Sequence, residues 1–513
     1  MVVGIILLFV GTCIIPSTAQ YTEQNQRFDT ISGPFPPSTW WMKTFGGIWN
    51  DCGYSVKQTT DGGYIITGFM NASAWLLKLD GNGDMMWEKY NIGRGWGRCV
   101  QQTSDGGYIV LGENAASYIW LLKTDDTGNI EWNTTYNRTD TIEACVVQQT
   151  TDGGYFIATT TWSSNYYWLL KTNTTGHLMW EKTFGGSFYD VCYSGQQTID
   201  GGYIITGCTT AFGGSYFKGW LIKTDGNGDM VWNKTFSGTD DVIGKAVQQT
   251  SDGGYIIAAD FCWGEPRILL IKTDGDGNTL WERILNDDRN DYAKAIQQTT
   301  DGGYIIIGRT WYGYGNGTNS DFLLTKTDSE GNTIWARTFD KTYLDEAETG
   351  QQTTDGGYIL LGTTYDPWGS RSDVWMIKTD EYGYVTTRPN TPTIAGKIDG
   401  AINTSYDYTI TTTDPDNDDV QYFINWQDAT TTLTGFNASG KTLIVPHTWT
   451  VKGTYNITVK AIDKNCAESD WATLTVTMPC SYNSRPLLQI FELLFQRFPN
   501  AFPLLRQLLG CNQ

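Results

Sequence analysis

Three stretches of this chain set oxygen-bearing side chains at alternate positions: Asp80, Asn82 and Asp84; Asp225, Asn227 and Asp229; Asp274, Asp276 and Asn278. The first half of a calcium loop has this spacing. None of the three carries the bidentate Glu that closes such a loop. Four equivalent turns use Thr-Gly, Glu-Gly or Tyr-Gly instead, so a plain Asp-led turn is the simpler account. A denser cluster, Asp414, Asp416, Asp418 and Asp419, gathers four carboxylates in six residues. A bound cation would relieve their repulsion, which makes this the stronger metal candidate beside the alternative of a solvated acidic loop. Calcium is thus the only cofactor the sequence suggests. With two histidines, His177 and His447, in different domains, the chain has no histidine metal cluster and hardly a candidate for a Ser-His-Asp relay. No C-x-x-C pair offers zinc or dithiol redox chemistry. No catalytic or cofactor-binding residue is assigned, although loops that bring distant Asp and Glu together remain a route to glycoside chemistry.

The elements that must position these residues are repeated. Asp-Gly-Gly-Tyr begins at Asp61, Asp105, Asp152, Asp200, Asp252, Asp301 and Asp355, with gaps of 44 to 54 residues. Such a period marks units too small to bury their own apolar faces, which stack on their neighbours. One unit reads as four short strands closed by Gly, Asp and Asn, and the Asp-Gly pair supplies the positive φ of a hairpin turn. A second element, Trp75-Leu76-Leu77-Lys78 and its six counterparts, is apolar on both faces and reads as a strand sandwiched between neighbouring sheets. After the first six comes another Trp, from Trp87 to Trp335, able to fill the wedge between sheets. The seventh unit lacks its last strand. Trp41-Met42-Lys43-Thr44-Phe45-Gly46-Gly47 copies Trp180-Glu181-Lys182-Thr183-Phe184-Gly185-Gly186 and stands ahead of the first unit, so it is expected to complete the seventh sheet and close a ring.

These motifs, QQTxDGGYIIxG followed by WLLKTDxxGNxxW, resemble a family of secreted archaeal and bacterial β-propeller repeats over residues 40–388. The second motif is also similar to the docking repeat of quinoprotein dehydrogenase propellers and, more loosely, to the Asp-box of sialidase-type propellers. The resemblance implies an all-β, seven-bladed propeller and transfers no activity. After the linker Thr387–Pro392, the runs TTDPDNDDVQYFINWQD, HTWTVKGTYNITVKAIDKN and AESDW resemble a polycystic-kidney-disease (PKD) type, immunoglobulin-like β-sandwich over residues 391–479. Domains of that kind imply a spacer or weak adhesion module.

Residues 1–19 read as a signal peptide ending in Ser17-Thr18-Ala19, and 20–39 as a linker. Residues 480–513 read as an amphipathic helical tail split by Pro499, docked on the protein or holding it peripherally at a membrane or envelope. Cys480 and Cys511 bracket that tail and are a candidate disulfide. A net charge of -20 argues against a nucleic-acid partner. Nine Asn-x-Ser/Thr sequons are compatible with a secreted or cell-surface location. The expected function is binding or adhesion, with propeller loops such as Trp311 to Ser320 engaging glycan or protein. The alternatives are a polysaccharide-cleaving enzyme and a quinone-dependent dehydrogenase.

Overall fold

The structure is a computed structural model describing residues 40–478, apart from 115–117, 138–141, 162–164, 186–188, 212–215, 238–239, 264, 286–289, 313–318, 343 and 367–370, together with Arg497. The expected signal peptide, the first linker, the candidate Cys480–Cys511 bridge and all of the expected helical tail but Arg497 lie outside the described residues. The chain forms two compact units that divide between Val385 and Thr386. Both are β structure, and no described helix is long and apolar enough to cross a membrane.

In the larger unit the described residues form seven four-stranded antiparallel sheets, consistent with propeller blades. Sheet 1 runs through Cys52–Gln58, Tyr64–Met70, Ser73–Leu79 and Met85–Arg94 in simple up-and-down order, and the next five repeat it. Sheet 7 takes three strands, Asp345–Gln352, Tyr358–Tyr365 and Ser372–Thr379, from the end of the unit and its fourth, Trp41–Phe45, from the beginning. Trp41 lies opposite Lys378 and Phe45 opposite Val374.

Each apolar core lies between consecutive sheets. Ile65, Leu76, Val100 and Leu122 join sheets 1 and 2, and Val56, Ile66, Leu361 and Met376 join sheets 7 and 1. The last-strand Trp of every sheet meets the Tyr of Asp-Gly-Gly-Tyr in the following sheet, from Trp87 against Tyr108 at 5.8 Å between ring centroids to Trp335 against Tyr358 at 5.8 Å. Trp41 meets Tyr64 at 5.7 Å, so sheet 7 greets sheet 1 by the same contact. Such pairs are worth about 0.5–1.5 kcal/mol each beyond the area they bury.

The smaller unit packs a three-stranded sheet, Thr393–Gly396, Ser405–Thr411 and Leu443–Thr448, with a four-stranded one, Val420–Asn425, Thr431–Leu433, Gly453–Asp463 and Ala472–Met478. Alternate residues of Gly453–Asp463 point into a core built on Tyr408, Trp426, Trp449 and Ile457. His447 stacks on Trp426 with ring centroids 4.1 Å apart, and its Nε2 lies 2.9 Å from Asp428 Oδ2, a packing role within this core.

Candidate functional site

In a four-stranded meander the turns joining strands 1–2 and 3–4 share one end of the sheet. The 2–3 loops and the links between sheets share the other. The first end is uniform. In the turn from Asp61, Oδ1 accepts the Thr59 hydroxyl at 2.5 Å and the Gly63 amide at 3.0 Å, and Oδ2 meets Lys78 Nζ at 2.9 Å. All seven sheets have this Asp–Lys pair, with the lysine buried and donating to a backbone carbonyl as well. Burial alone would raise the Asp61 carboxyl, but the Thr59 hydroxyl, the Lys78 ammonium and the Gly63 amide together hold it down at about 2.

The three alternating-oxygen stretches form the other turn at this end, on sheets 1, 4 and 5. Asp80 Oδ1 accepts the amides of Asn82 and Asp84, each at 2.9 Å. Asp225 does the same for Asn227 and Asp229, and Asp274 for Asp276 and Asn278. In sheet 3, Asn173 fills the same place with the same two bonds, so the turn needs an acceptor there but no charge. The fifth residue of each turn looks to the preceding sheet: Asp84 pairs with Lys43 and Asp229 with Lys182, both at 2.6 Å, and Asn278 accepts Lys234 at 3.0 Å. The structure therefore sets these nine residues in three separate turns and does not gather them into one centre.

The acidic loop of the smaller unit is assembled differently. Asp414 Oδ1 accepts the amides of Asp416 and Asp418 at 2.9 and 3.1 Å. Asp416 Oδ2 accepts from the Thr387 amide and from the hydroxyls of Thr386 and Thr387. Asp418 holds Lys464 at 2.7 Å and the Asn465 carboxamide at 2.6 Å, while Asp419 is exposed. The residue that the sequence reading missed is Asp463, at the far end of Gly453–Asp463. Its Oδ1 accepts the amides of Asn465 and Ala467, each at 2.8 Å. Asp463 Oδ2 and Asp414 Oδ2 are both buried without a hydrogen-bond partner among the described residues. Burial, with Asp414 and Asp418 adding to it, pushes the Asp463 carboxyl up to about 7. Buried carboxylate oxygens without a donor suit a hard cation in type, but among the described residues the carboxylates whose oxygens all lie within 4.8 Å of one another are Asp321, Asp340 and Asp345, not Asp414, Asp418 and Asp463.

The second end of the larger unit is variable. It carries the exposed aromatics Trp49, Tyr189, Tyr216 and Trp311. Residues 313–318 of the Trp311–Ser320 loop lie outside the described residues. Here too Asp321, Asp340 and Asp345 bring carboxylate oxygens within 4.8 Å of one another. Asp345 is committed to its own loop, accepting the Lys341 and Thr342 amides at 2.7 and 3.0 Å. Burial raises Asp340, and Asp345 raises it further. Between the two ends, the first strands surround a channel of about 510 Å³. Three of its four cations, Arg98, Lys245 and Lys294, are paired with Glu113, Asp260 and Glu348 at 2.7, 3.6 and 2.8 Å; the fourth is Lys57.

No family model matches the chain, and no curated protein does. Among solved structures, the chain is similar to the PKD domain of an M14-like peptidase from a Thermoplasmatales archaeon, at 46% identity over 18% of this chain and 98% of that one, with a TM-score of 0.18. It is also similar to Sqt1 from Chaetomium thermophilum, at 12% identity over 63% of this chain and 82% of that one, with a TM-score of 0.38. Prolyl oligopeptidase B from Galerina marginata is 9% identical over 71% of this chain and 56% of its own, with a TM-score of 0.40. The chain is an all-β repeat protein of blade-like four-stranded sheets with a neighbour among PKD domains.

Proposed function

We propose that this is an exported, surface-held binding protein in which a closed seven-bladed β-propeller presents its variable end to a glycan or protein ligand. Residues 391–479 act as a PKD-type spacer, a reading supported by the 46% identity to nearly all of such a domain. Disulfide bonding of Cys466 fits an oxidising compartment. The observation that carries the binding role is the contrast between the two ends. One repeats the same two turns seven times, while the other varies in length and exposes Trp49, Tyr189, Tyr216 and Trp311. Exposed aromatic rings on variable loops over a rigid scaffold suit sugar stacking or protein anchoring. In the spacer, calcium at Asp414 and Asp463 would offset the burial of their two carboxylate oxygens that lack a donor.

A glycan array probed with the whole protein, in calcium and in chelator, tests this. Trp311→Ala should weaken the best ligand by about tenfold or more, as loss of an aromatic anchor does. Ile199→Ala, at the uniform end, should leave binding unchanged. Equal loss from both variants, or from neither, overturns the assignment of the variable end. One observation favours a second reading, polysaccharide cleavage: the Asp321, Asp340 and Asp345 carboxylates at that same end. Turnover of an envelope polymer that disappears in Asp340→Asn would support it.

A further inference from the structure

Six sheets carry the pair Gln-Gln before the Thr of the first turn, and sheet 1 carries Lys57-Gln58. The second glutamine of each pair is consumed by the scaffold. Gln102 Nε2 donates to the Gly106 carbonyl at 3.2 Å, and its Oε1 accepts the Thr60 amide of the preceding sheet at 2.8 Å. Gln58 closes the series by accepting the Thr354 amide at 2.9 Å.

In four of the six pairs the first glutamine is consumed on one side only. Oε1 of Gln101, Gln148, Gln248 and Gln297 accepts the backbone amide of Gln149, Gln197, Gln298 and Gln352 respectively, each in the following sheet. A backbone N–H can only donate, so the atom that faces it must be the carboxamide oxygen, and the NH₂ group of each side chain turns the other way. All four residues line the channel. Among the described residues none of these four Nε2 groups has a protein acceptor. Lys57 occupies the same position in sheet 1, also on the channel wall, and makes no ion pair among the described residues. The other channel cations, Arg98, Lys245 and Lys294, have carboxylates of their own.

We propose that this collar of inward N–H donors around Lys57 is a binding site for an oxyanion, a group of sulfate, phosphate or carboxylate size. The four oriented amides turn donors to the channel, which favours a guest rich in acceptors, and the Lys57 ammonium makes an anionic guest preferable to water, although Glu143 and Glu348 also line the channel, Glu348 paired with Lys294. The group is either a free inorganic anion or the acidic substituent of a larger ligand.

The probes are sodium sulfate for calorimetry and sodium selenate for anomalous diffraction, each with the full chain. The native protein should bind one anion, with a selenium peak in the channel beside Lys57. Lys57→Gln only extends the pattern of the other six sheets, so the protein should fold normally and bind sulfate about tenfold or more weakly, the effect of losing one charge-assisted contact. Gln101→Glu keeps an acceptor for the Gln149 amide but turns the inward donor into a negative acceptor. It should melt in chloride within a few degrees of the native protein and bind no sulfate. A tighter grip on a sulfated disaccharide than on both sulfate and the unsulfated sugar would place the anion on a larger ligand, and parity with sulfate would make it a free ion. Native-like binding by both variants, a selenium peak elsewhere, or no binding by the native protein overturns the proposal.

Discussion

The carboxylate of Asp200 accepts a hydroxyl at Oδ1, accepts an amide there as well, and neutralises a buried lysine through Oδ2. Asn in its place keeps the first two contacts and strands Lys223. We expect Asp200→Asn to cost about 1–3 kcal/mol in urea unfolding followed by tryptophan fluorescence, as for a buried charge deprived of a half-exposed partner. The same group sets an acid limit. The folded carboxyl of Asp200 lies near 2, below its ordinary 3.8, so its contribution is complete above pH 3.8 and lost as pH falls through 2. Asp61, Asp152 and Asp252 behave alike, so the melting temperature of the larger unit should drop steeply between about pH 4 and 2. A flat profile there would contradict the pairing. The turn itself was legible in Asp-Gly-Gly-Tyr, but the lysine was not. Its separation from the aspartate drifts from 17 residues in sheet 1 to 25 in sheet 6 with the length of the intervening loop, so no fixed spacing announces the pair.

At the scale of strands and turns, sheets meet through a ring laid on a glycine. Gly228 has φ +77°, and a Cβ there would stand 2.7 Å from the Trp180 ring. Gly228→Ala combines a left-handed backbone with displacement of that ring and should cost about 2–4 kcal/mol by denaturant titration. The wedge role of these tryptophans was readable from their regular recurrence, whereas their target was not, since it lies in another repeat. The acidic loop shows the same limit. Asp414 to Asp419 stand out as a run, but Asp463 joins them only because Gly453–Asp463 pairs with Val420–Asn425, placing Asp463 opposite Val420. With its folded carboxyl raised to about 7, Asp463 favours folding fully below pH 3.8, and that contribution fades as pH rises through 7. In chelator the smaller unit should therefore weaken from about pH 4 to 7, calcium should offset the loss, and Asp463→Asn should melt independently of both. Calcium-independent melting of the native protein would remove the cation from this loop.

For the larger unit as a whole, what matters is that one Trp–Tyr contact recurs between consecutive sheets and that the seventh sheet makes it with the first. Trp41 lies against Tyr64, Gly83 lies under the Trp41 ring, and the Thr354 amide donates to Gln58. The circular offset of the motifs foretold the strand exchange because Trp41–Gly47 is a stray copy of a last strand. The glutamine collar stayed hidden because a carboxamide's orientation is set by the neighbouring sheet. Removing residues 1–45 should leave Ser372–Thr379 with an open edge, lower the melting temperature by about 5 °C or more, and yield oligomers by size-exclusion chromatography. A monomer of native stability would show that the exchanged strand is dispensable.

That strand also fixes an order in time. A ribosome makes Trp41–Phe45 ahead of every other described strand of the larger unit and its partner Ser372–Thr379 after all of them, so the early segment must wait, sticky and unmatched, while six sheets assemble behind it. A product of translation interrupted before Ser372–Thr379 is made carries the same mark of incompleteness, an unmatched strand that chaperones and proteases are equipped to find.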